Sequence, residues 1–392
     1  MPLHVLALTP PAHGHVNPLL PIAAELVRRG ARVTIPLPDP FRPQVEAAGA
    51  AFVSLGEMPP MPSMTPGLDP SERAGIMNGF RSRVGAWTEA SLAAVEADPP
   101  DVLLYDAMLQ LFGIDLPQRV AVSRVAYCPS FAFPDGSTPR QFFEQMAAAS
   151  PTGTAMPGLP GGPAGLSLLG EAAFRSEPLT LVTIPRFWQP EADRFDGRYR
   201  FVGPSLRTEP AGDFPLPAAD GRPRVFVSLG TVASDKPDFY RAVFAALAGR
   251  DWQAVVSTGR ADPALLGAAP ANVVAAPHVP QLRVLRQSDV FVSHGGMNST
   301  MEALSLGVPL VVVPQMADQF MNAQRVAELG IGRSLAGVEP TPEALVAAIE
   351  AALADTGSRD RLAALRPEVT AGGGAVAAAQ AIEELAAVPA GR

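Results

Sequence analysis

The segment from 278 to 319, HVPQLRVLRQSDVFVSHGGMNSTMEALSLGVPLVVVPQMADQ, sets polar side chains at the ends of short apolar runs. Their types and order suit a diphosphate that carries a ribose and a sugar. The run Asp289–Ser293 is apolar, β-rich and short, which is the pattern of a strand buried on both faces. It ends in His294-Gly295-Gly296, and a helix is expected from about Asn298-Ser299-Thr300. Glycines let a backbone approach a ligand, and a helix N-terminus offers N–H donors with a favourable dipole. His294, Gly296, Asn298 and Ser299 therefore suit a pyrophosphate. The hydroxyls of Ser228 and Thr231, in Val227-Ser228-Leu229-Gly230-Thr231, add neutral donors. Glu302 follows Asn298 by about one helical turn and can accept from vicinal ribose hydroxyls. After a second strand-like run, Pro309–Val313, Asp318 and Gln319 open another helix, placed to hydrogen-bond a sugar. Each residue also has a plain structural reading: His294 in a strand-end core, Asn298, Ser299 and Asp318 as helix caps, Glu302 as a surface residue. Their order over one continuous stretch favours the ligand.

A second constellation, Ala12-His13-Gly14-His15-Val16-Asn17-Pro18, follows the apolar run His4–Leu8. It places His15 in the turn between a first strand and a first helix. There a near-neutral imidazole can take a proton. The structural alternative is that His15 caps the helix or satisfies the turn. His13, two residues away, is a candidate wall of the same pocket.

The elements that must position these groups form two α/β halves. His4–Leu8 is a buried strand, Asn17–Arg29 carries a helical apolar stripe, and Arg32–Ile35 returns as a strand, the start of a doubly wound sheet. Asp101–Tyr105 is a later strand of the same half. The Pro/Gly/Asp-rich stretch Thr208–Arg224 breaks all periodicity and is the natural linker. The second half restarts with strands at Arg224–Ser228 and Gln253–Ser257 around a helix at Pro237–Ala248. It closes with helices at Thr341–Ala354, Arg359–Leu365 and Gly374–Ala387. Residues 57–70 and 130–175 are expected to be loops. Their Met58, Met61, Met64, Phe131, Phe133, Phe142 and Met146 would form an adaptable acceptor pocket, or merely cover the sheet.

The donor-side segment resembles the signature of nucleotide-diphosphate-sugar glycosyltransferases, in the style of the bacterial macrolide group. The likeness extends to the Ala12–Pro18 and Val227–Thr231 motifs. It implies an α/β fold of two Rossmann-like doubly wound domains facing a central cleft, the GT-B architecture. Residues 1–207 would bind the acceptor, 208–223 link, and 224–373 bind the nucleotide sugar, with the helix of 374–392 crossing back to the first domain. The implied reaction is inverting transfer of a hexose, expected to be glucose, from a UDP-sugar co-substrate. The acceptor would be a hydroxyl of a lipophilic small molecule such as a macrolide, flavonoid or other polyphenol. His15 would be the base and Asp106, after the Asp101–Tyr105 strand, would orient it, although Asp106 can equally cap the next helix. Where many relatives stack a tryptophan on uracil this chain has His278, with Val279 and Gln281 following. Imidazole offers a smaller stacking face.

Composition narrows the alternatives. A length of 392 residues suits two domains, and a net charge of −8 argues against nucleic acid. The one cysteine, Cys128, excludes a disulfide framework, fits a cytoplasmic protein and is expected to be a buried hydrophobe. No membrane span or signal peptide is expected, and the chain should be a monomer or weak dimer. No Asp-x-Asp triplet occurs, so no metal is expected, and no bound cofactor. The first turn lacks G-x-G-x-x-G and no G-x-S-x-G elbow exists, which removes a nicotinamide oxidoreductase and a serine hydrolase. A TDP-deoxysugar transferase of antibiotic tailoring and a non-catalytic binding protein remain as alternatives.

Overall fold

Apolar, β-branched runs of three to six residues are too short for helices and form strands in both halves of the chain. The structure, a computed structural model, describes residues 1–57, 75, 82, 86–93, 95–111, 119–151, 174–207, 214–218, 220–231 and 234–388. Two compact units are present. The first comprises Met1–Gln145, Met156–Arg207 and Ala371–Arg392, and the second Met146–Ala155 and Thr208–Thr370.

In the first unit β1 (His4–Leu8), β2 (Arg32–Leu37), β3 (Ala51–Ser54), β4 (Val102–Asp106), β5 (Ser123–Cys128), β6 (Leu179–Val182) and β7 (Tyr199–Phe201) form one sheet. Its order is β3-β2-β1-β4-β5-β6-β7, with every pairing parallel. Strand order reverses between β1 and β4, the place where doubly wound sheets open a crevice at their carboxyl edge. Side chains alternate faces along β4. Val102 and Leu104 join a core with Val16, Leu19 and Ile22 of the helix His13–Arg28, while Leu103 and Tyr105 pack on the other face. Asp106, two residues past Leu104, shares the parity of the helix-covered face. The helix Gly374–Ala386 contributes Ala378, Ala379, Ala381 and Ile382 to that core, and its Glu383 accepts from Arg29 at 3.0 Å.

In the second unit β8 (Arg224–Ser228), β9 (Gln253–Ser257), β10 (Val273–Ala276), β11 (Val290–Ser293), β12 (Leu310–Val312) and β13 (Gly332–Ser334) are all parallel, in the order β10-β9-β8-β11-β12-β13. The reversal falls between β8 and β11. One face packs Val225, Val227, Val290 and Val292 with the helix Pro237–Leu247. On the other, the rings of Phe226 and Phe291 stack at 4.6 Å.

Three expectations need correction. The first helix begins at His13, not Asn17, so His15 lies in its first turn. Gly14 disfavours helix locally, yet the helix takes it in its first turn, with Pro18 and Pro21 further inside. The stretch 130–175, expected as loop, contains the helix Pro139–Ala149, whose RQFFEQMAAA core consists largely of strong helix formers. The helix expected at Arg359–Leu365 runs from Thr356 to Thr370 and carries Pro367. Cys128 is buried at the end of β5, and burial pushes its thiol well above the usual range. Among the described residues no helix is long and apolar enough to cross a membrane.

Candidate functional site

In the first unit β4 delivers Asp106 to the carboxyl edge and the adjoining helix turn delivers His15. His15 Nδ1 lies 2.7 Å from Asp106 Oδ2. Asp106 is 1% exposed, while the His15 side chain is 22% exposed and open to a ligand. The carboxylate also accepts from Thr9 Oγ1 at 3.2 Å on Oδ2, and from the Met108 N–H at 2.9 Å on Oδ1. With donors on both oxygens, Asp106 acts as an acceptor. The neutral imidazole then carries its proton on Nδ1 and its lone pair on Nε2. The Tyr127 hydroxyl donates to the His15 carbonyl at 3.3 Å, and burial raises that phenol well above its ordinary pKa, keeping it a neutral donor. The same bond to the N–H of Met108, first residue of the helix Met108–Leu111, holds the turn after β4 and fixes the carboxylate.

Of the residues nominated for the acceptor, His13, Phe131, Phe133 and Met146 are described. His13 packs on Phe41, with ring centroids 5.1 Å apart. Phe131 and Phe133 are buried, and Phe133 stacks on Phe174 at 3.9 Å. Met146 is buried on its helix. Met58, Met61, Met64 and the side chain of Phe142 lie outside the described residues. A small pocket, partly open to solvent, lies beside Thr9, with Leu8, Leu55, Trp87 and Leu109 as apolar walls and Thr88 and Ser91 as hydroxyl-bearing ones. Nothing at sequence level singled out Trp87, Thr88 or Ser91. Only the folded sheet brings them to the end of β1.

In the second unit Ser228 and Ser293 end β8 and β11 in register. Each hydroxyl accepts the N–H of the glycine two residues on, Gly230 at 3.2 Å and Gly295 at 3.1 Å. Both glycines have positive φ, +73° and +79°, which only glycine adopts readily. Asn322, fully buried and not anticipated from sequence, donates from Nδ2 to the Gly295 carbonyl at 2.8 Å. The His294 ring lies between the two turns. A Cβ on Gly230 would sit 2.6 Å from its Cε1, and one on Gly296 would sit 2.3 Å from its Nε2. Its Nδ1 is covered by protein.

Burial pushes the His294 pKa down from 6.5 to about 4, so the ring is neutral at pH 7. Between those values the unfolded chain binds a proton that the folded one does not. Stability should therefore fall as pH drops through that window, by about 2 kcal/mol at pH 5 relative to pH 7. In urea titrations at both pH values, His294→Gln should lose that part of the acid sensitivity. An unchanged difference between the two pH values would mean the imidazole is not the group responsible.

The helix Met297–Leu306 begins at Gly296 with no side-chain cap, so Asn298 and Ser299 sit in its first turn and are not N-caps. Glu302 is buried rather than on the surface. Gln281 Nε2 donates to Glu302 Oε2 at 2.6 Å and to Ser299 Oγ at 3.1 Å, tying the turn after β10 to this helix. His278 is exposed and Val279 half-buried in that turn. Ser228 is buried and Thr231 exposed. Ala317, not Asp318, is the N-cap of the helix Asp318–Glu328, and Asp318 is half-buried. Ala317 adopts φ 52° and ψ −134°, a conformation that costs a non-glycine residue about 1–3 kcal/mol. Gln319 Oε1 accepts from the N–H groups of Gln315 and Met316, at 2.8 and 3.2 Å. Its amide nitrogen thus faces away from that turn's backbone donors.

Against this geometry the comparisons with known proteins fall into place. The family model described as "Erythromycin biosynthesis protein CIII-like, C-terminal domain" matches residues 241–385. The chain is 34% identical to NDP-glycosyltransferase YjiC of Bacillus licheniformis, over 99% of this chain and 98% of that protein. It is 34% identical to oleandomycin glycosyltransferase of Streptomyces antibioticus, over 97% of this chain and 90% of that one. Among solved structures it is similar to CalG4, the calicheamicin glycosyltransferase, with a TM-score of 0.80, 30% identity and 100% coverage of both chains.

Proposed function

Because this chain belongs to the bacterial macrolide-type glycosyltransferases, which take their sugar from a nucleotide-sugar co-substrate, we propose that it is an inverting, UDP-sugar-dependent hexosyltransferase acting on a hydroxyl of a lipophilic small molecule. The observation that carries this reading is the 2.7 Å His15–Asp106 pair at the carboxyl edge of the first sheet. His15 Nε2 takes the acceptor hydroxyl proton as the oxygen attacks the anomeric carbon. The carbon–oxygen bond to the diphosphate breaks, and one displacement on an α-linked donor gives a β-glycoside. Asp106 holds the imidazole and stabilises the imidazolium that forms.

The second unit holds the donor in this reading. The diphosphate lies on the uncapped first turn of Met297–Leu306, with Ser228, Thr231, His294, Asn298 and Ser299. Asp318 and the Gln319 amide nitrogen bond the hexose, His278 stacks on the base, and Glu302 binds the ribose. Gln281 donates to Glu302 Oε2 and holds the carboxylate in place for the ribose hydroxyls. A thymidine nucleotide lacks the 2′-hydroxyl, and UDP-glucose should therefore be preferred over TDP-glucose by about fivefold in kcat/KM.

The test measures nucleotide release and product anomer with both donors and a phenolic acceptor, in the native enzyme and in Glu302→Ala. A β-glucoside from UDP-glucose, with a UDP:TDP ratio that collapses in Glu302→Ala, supports the reading. An α-linked product would overturn the displacement mechanism. A native preference for TDP-linked deoxysugars would instead favour the second reading, suggested by the chain's 32% identity to a demethyllactenocin mycarosyltransferase of Streptomyces fradiae.

A further inference from the structure

We infer that Arg260 is a donor-binding residue whose guanidinium pairs with the diphosphate. The inference rests on the nucleotide-sugar reading above and adds the one element that reading lacks, a positive charge. Ser228, Thr231, Asn298 and Ser299 are neutral, and so is His294, whose ring burial keeps deprotonated. A departing nucleoside diphosphate is multiply anionic, and a cation beside it is what stabilises the charge as it develops.

The geometry places Arg260 at that edge. Ser257, Ser228 and Ser293 end β9, β8 and β11 in register, and Arg260 follows Ser257 by three residues. Its backbone is fixed on both sides. The Arg260 N–H donates to Ser234 Oγ at 3.2 Å, and Ser234 is fully buried in the loop after β8. The preceding Gly259 donates its N–H to the Pro277 carbonyl at 3.0 Å, immediately before His278. Gly259 has φ +59°, and a Cβ there would stand 2.3 Å from Ser234 Cβ and 3.5 Å from the Gly230 carbonyl oxygen. Arg260 is thus rooted between the base platform and the glycine turn that touches His294. Ser228 lies one strand spacing, about 4.8 Å, from Ser257, a gap that an arginine side chain spans, and the helix after β11 lies one spacing further on. The side chain is exposed and has no acidic partner among the described residues. Asp262, two residues on, caps the Ala264 N–H at 2.9 Å and forms no ion pair with it. An unpaired guanidinium on a backbone held this tightly suits a planar, bidentate contact to phosphate.

The experiment is calorimetric titration of UDP, TDP, UMP and uridine into the native protein, Arg260→Gln, Arg260→Lys and Lys236→Gln. Lys236 lies on the loop after β8 and controls for a charge change without the contact. Arg260→Gln should weaken UDP about tenfold, with UMP affected less and uridine unchanged. Arg260→Lys should fall between, because an ammonium keeps the charge but not the fork. The loss should shrink in high salt. An unchanged Kd for UDP in Arg260→Gln would overturn the assignment, as would equal weakening of uridine, which would make it a base or ribose contact. Equal weakening by Lys236→Gln would reduce it to a general field and likewise overturn it. If the native protein binds neither UDP nor TDP, the nucleotide-sugar reading itself falls; native binding with an inert Arg260→Gln removes only Arg260.

Discussion

Replacing His15 with alanine should lower transfer to an aliphatic alcohol by about 10²–10⁴-fold, the usual contribution of a positioned base. The His15 side chain is 22% exposed and lies in the first turn of its helix, outside the apolar core, so the fold should persist. Asp106→Asn tests the same device differently. Asp106 accepts on both oxygens, from His15 and Thr9 on one and from Met108 N–H on the other. An amide can offer His15 an N–H in place of a lone pair, which turns the imidazole to its other tautomer and leaves Nε2 protonated. A kcat loss of roughly 10²–10⁴-fold with little change in KM is expected. Acceptor chemistry separates the base from mere packing. A phenol is partly ionised at high pH and needs less help, so His15→Ala should recover rate with phenols as pH rises and not with alcohols. A folded His15→Ala protein that transfers to an alcohol near the native rate would remove His15 from the reaction.

The strand ends carried most of what could be read from sequence. Ser228, Ser293 and Asp106 close short apolar runs, and in a doubly wound parallel sheet such residues arrive together at one edge. Periodicity alone then places Asp106 on the face covered by the His13–Arg28 helix. Other features depend on contacts between distant segments. Asn322 meets Gly295 across 27 positions, and nothing local in FMNAQ distinguishes it from a helix-surface residue. Phe131 and Phe133 were expected on a loop as adaptable apolar surface; both are buried, and the stacking of Phe133 on Phe174, 41 positions away, is not legible locally. The helix start at His13 was hidden because Gly14 disfavours helix locally and Pro18 suits a first helical turn beginning at Asn17. Tertiary packing of Val16, Leu19 and Ile22 outweighs that propensity.

Gly296 should be intolerant of a single methyl group, although its backbone is ordinary. With φ −61° and ψ 144° any residue can adopt its conformation, so Gly296→Ala introduces no torsional strain. The added Cβ would stand 2.3 Å from His294 Nε2, and the ring cannot retreat toward Gly230, where a methyl would have only 2.6 Å to Cε1. The imidazole must rotate out of the slot or the helix must shift. Overpacking of this kind costs about 1–3 kcal/mol, and alanine is also a poorer N-cap than glycine by about 1 kcal/mol. Because the His294 ring and the helix N-terminus both face the diphosphate in the proposed complex, UDP affinity should fall about ten- to hundredfold. Gly230→Ala is the harsher variant, since φ +73° adds backbone strain to the clash, and it should lower stability as well as affinity. The cause can be isolated with a double-mutant cycle. In a His294→Ala background the obstructing ring is gone, so adding Gly296→Ala should cost little further affinity beyond the cap. If the two losses simply add, the slot between the glycines does not position His294, and the cost of Gly296→Ala belongs to the helix N-terminus alone.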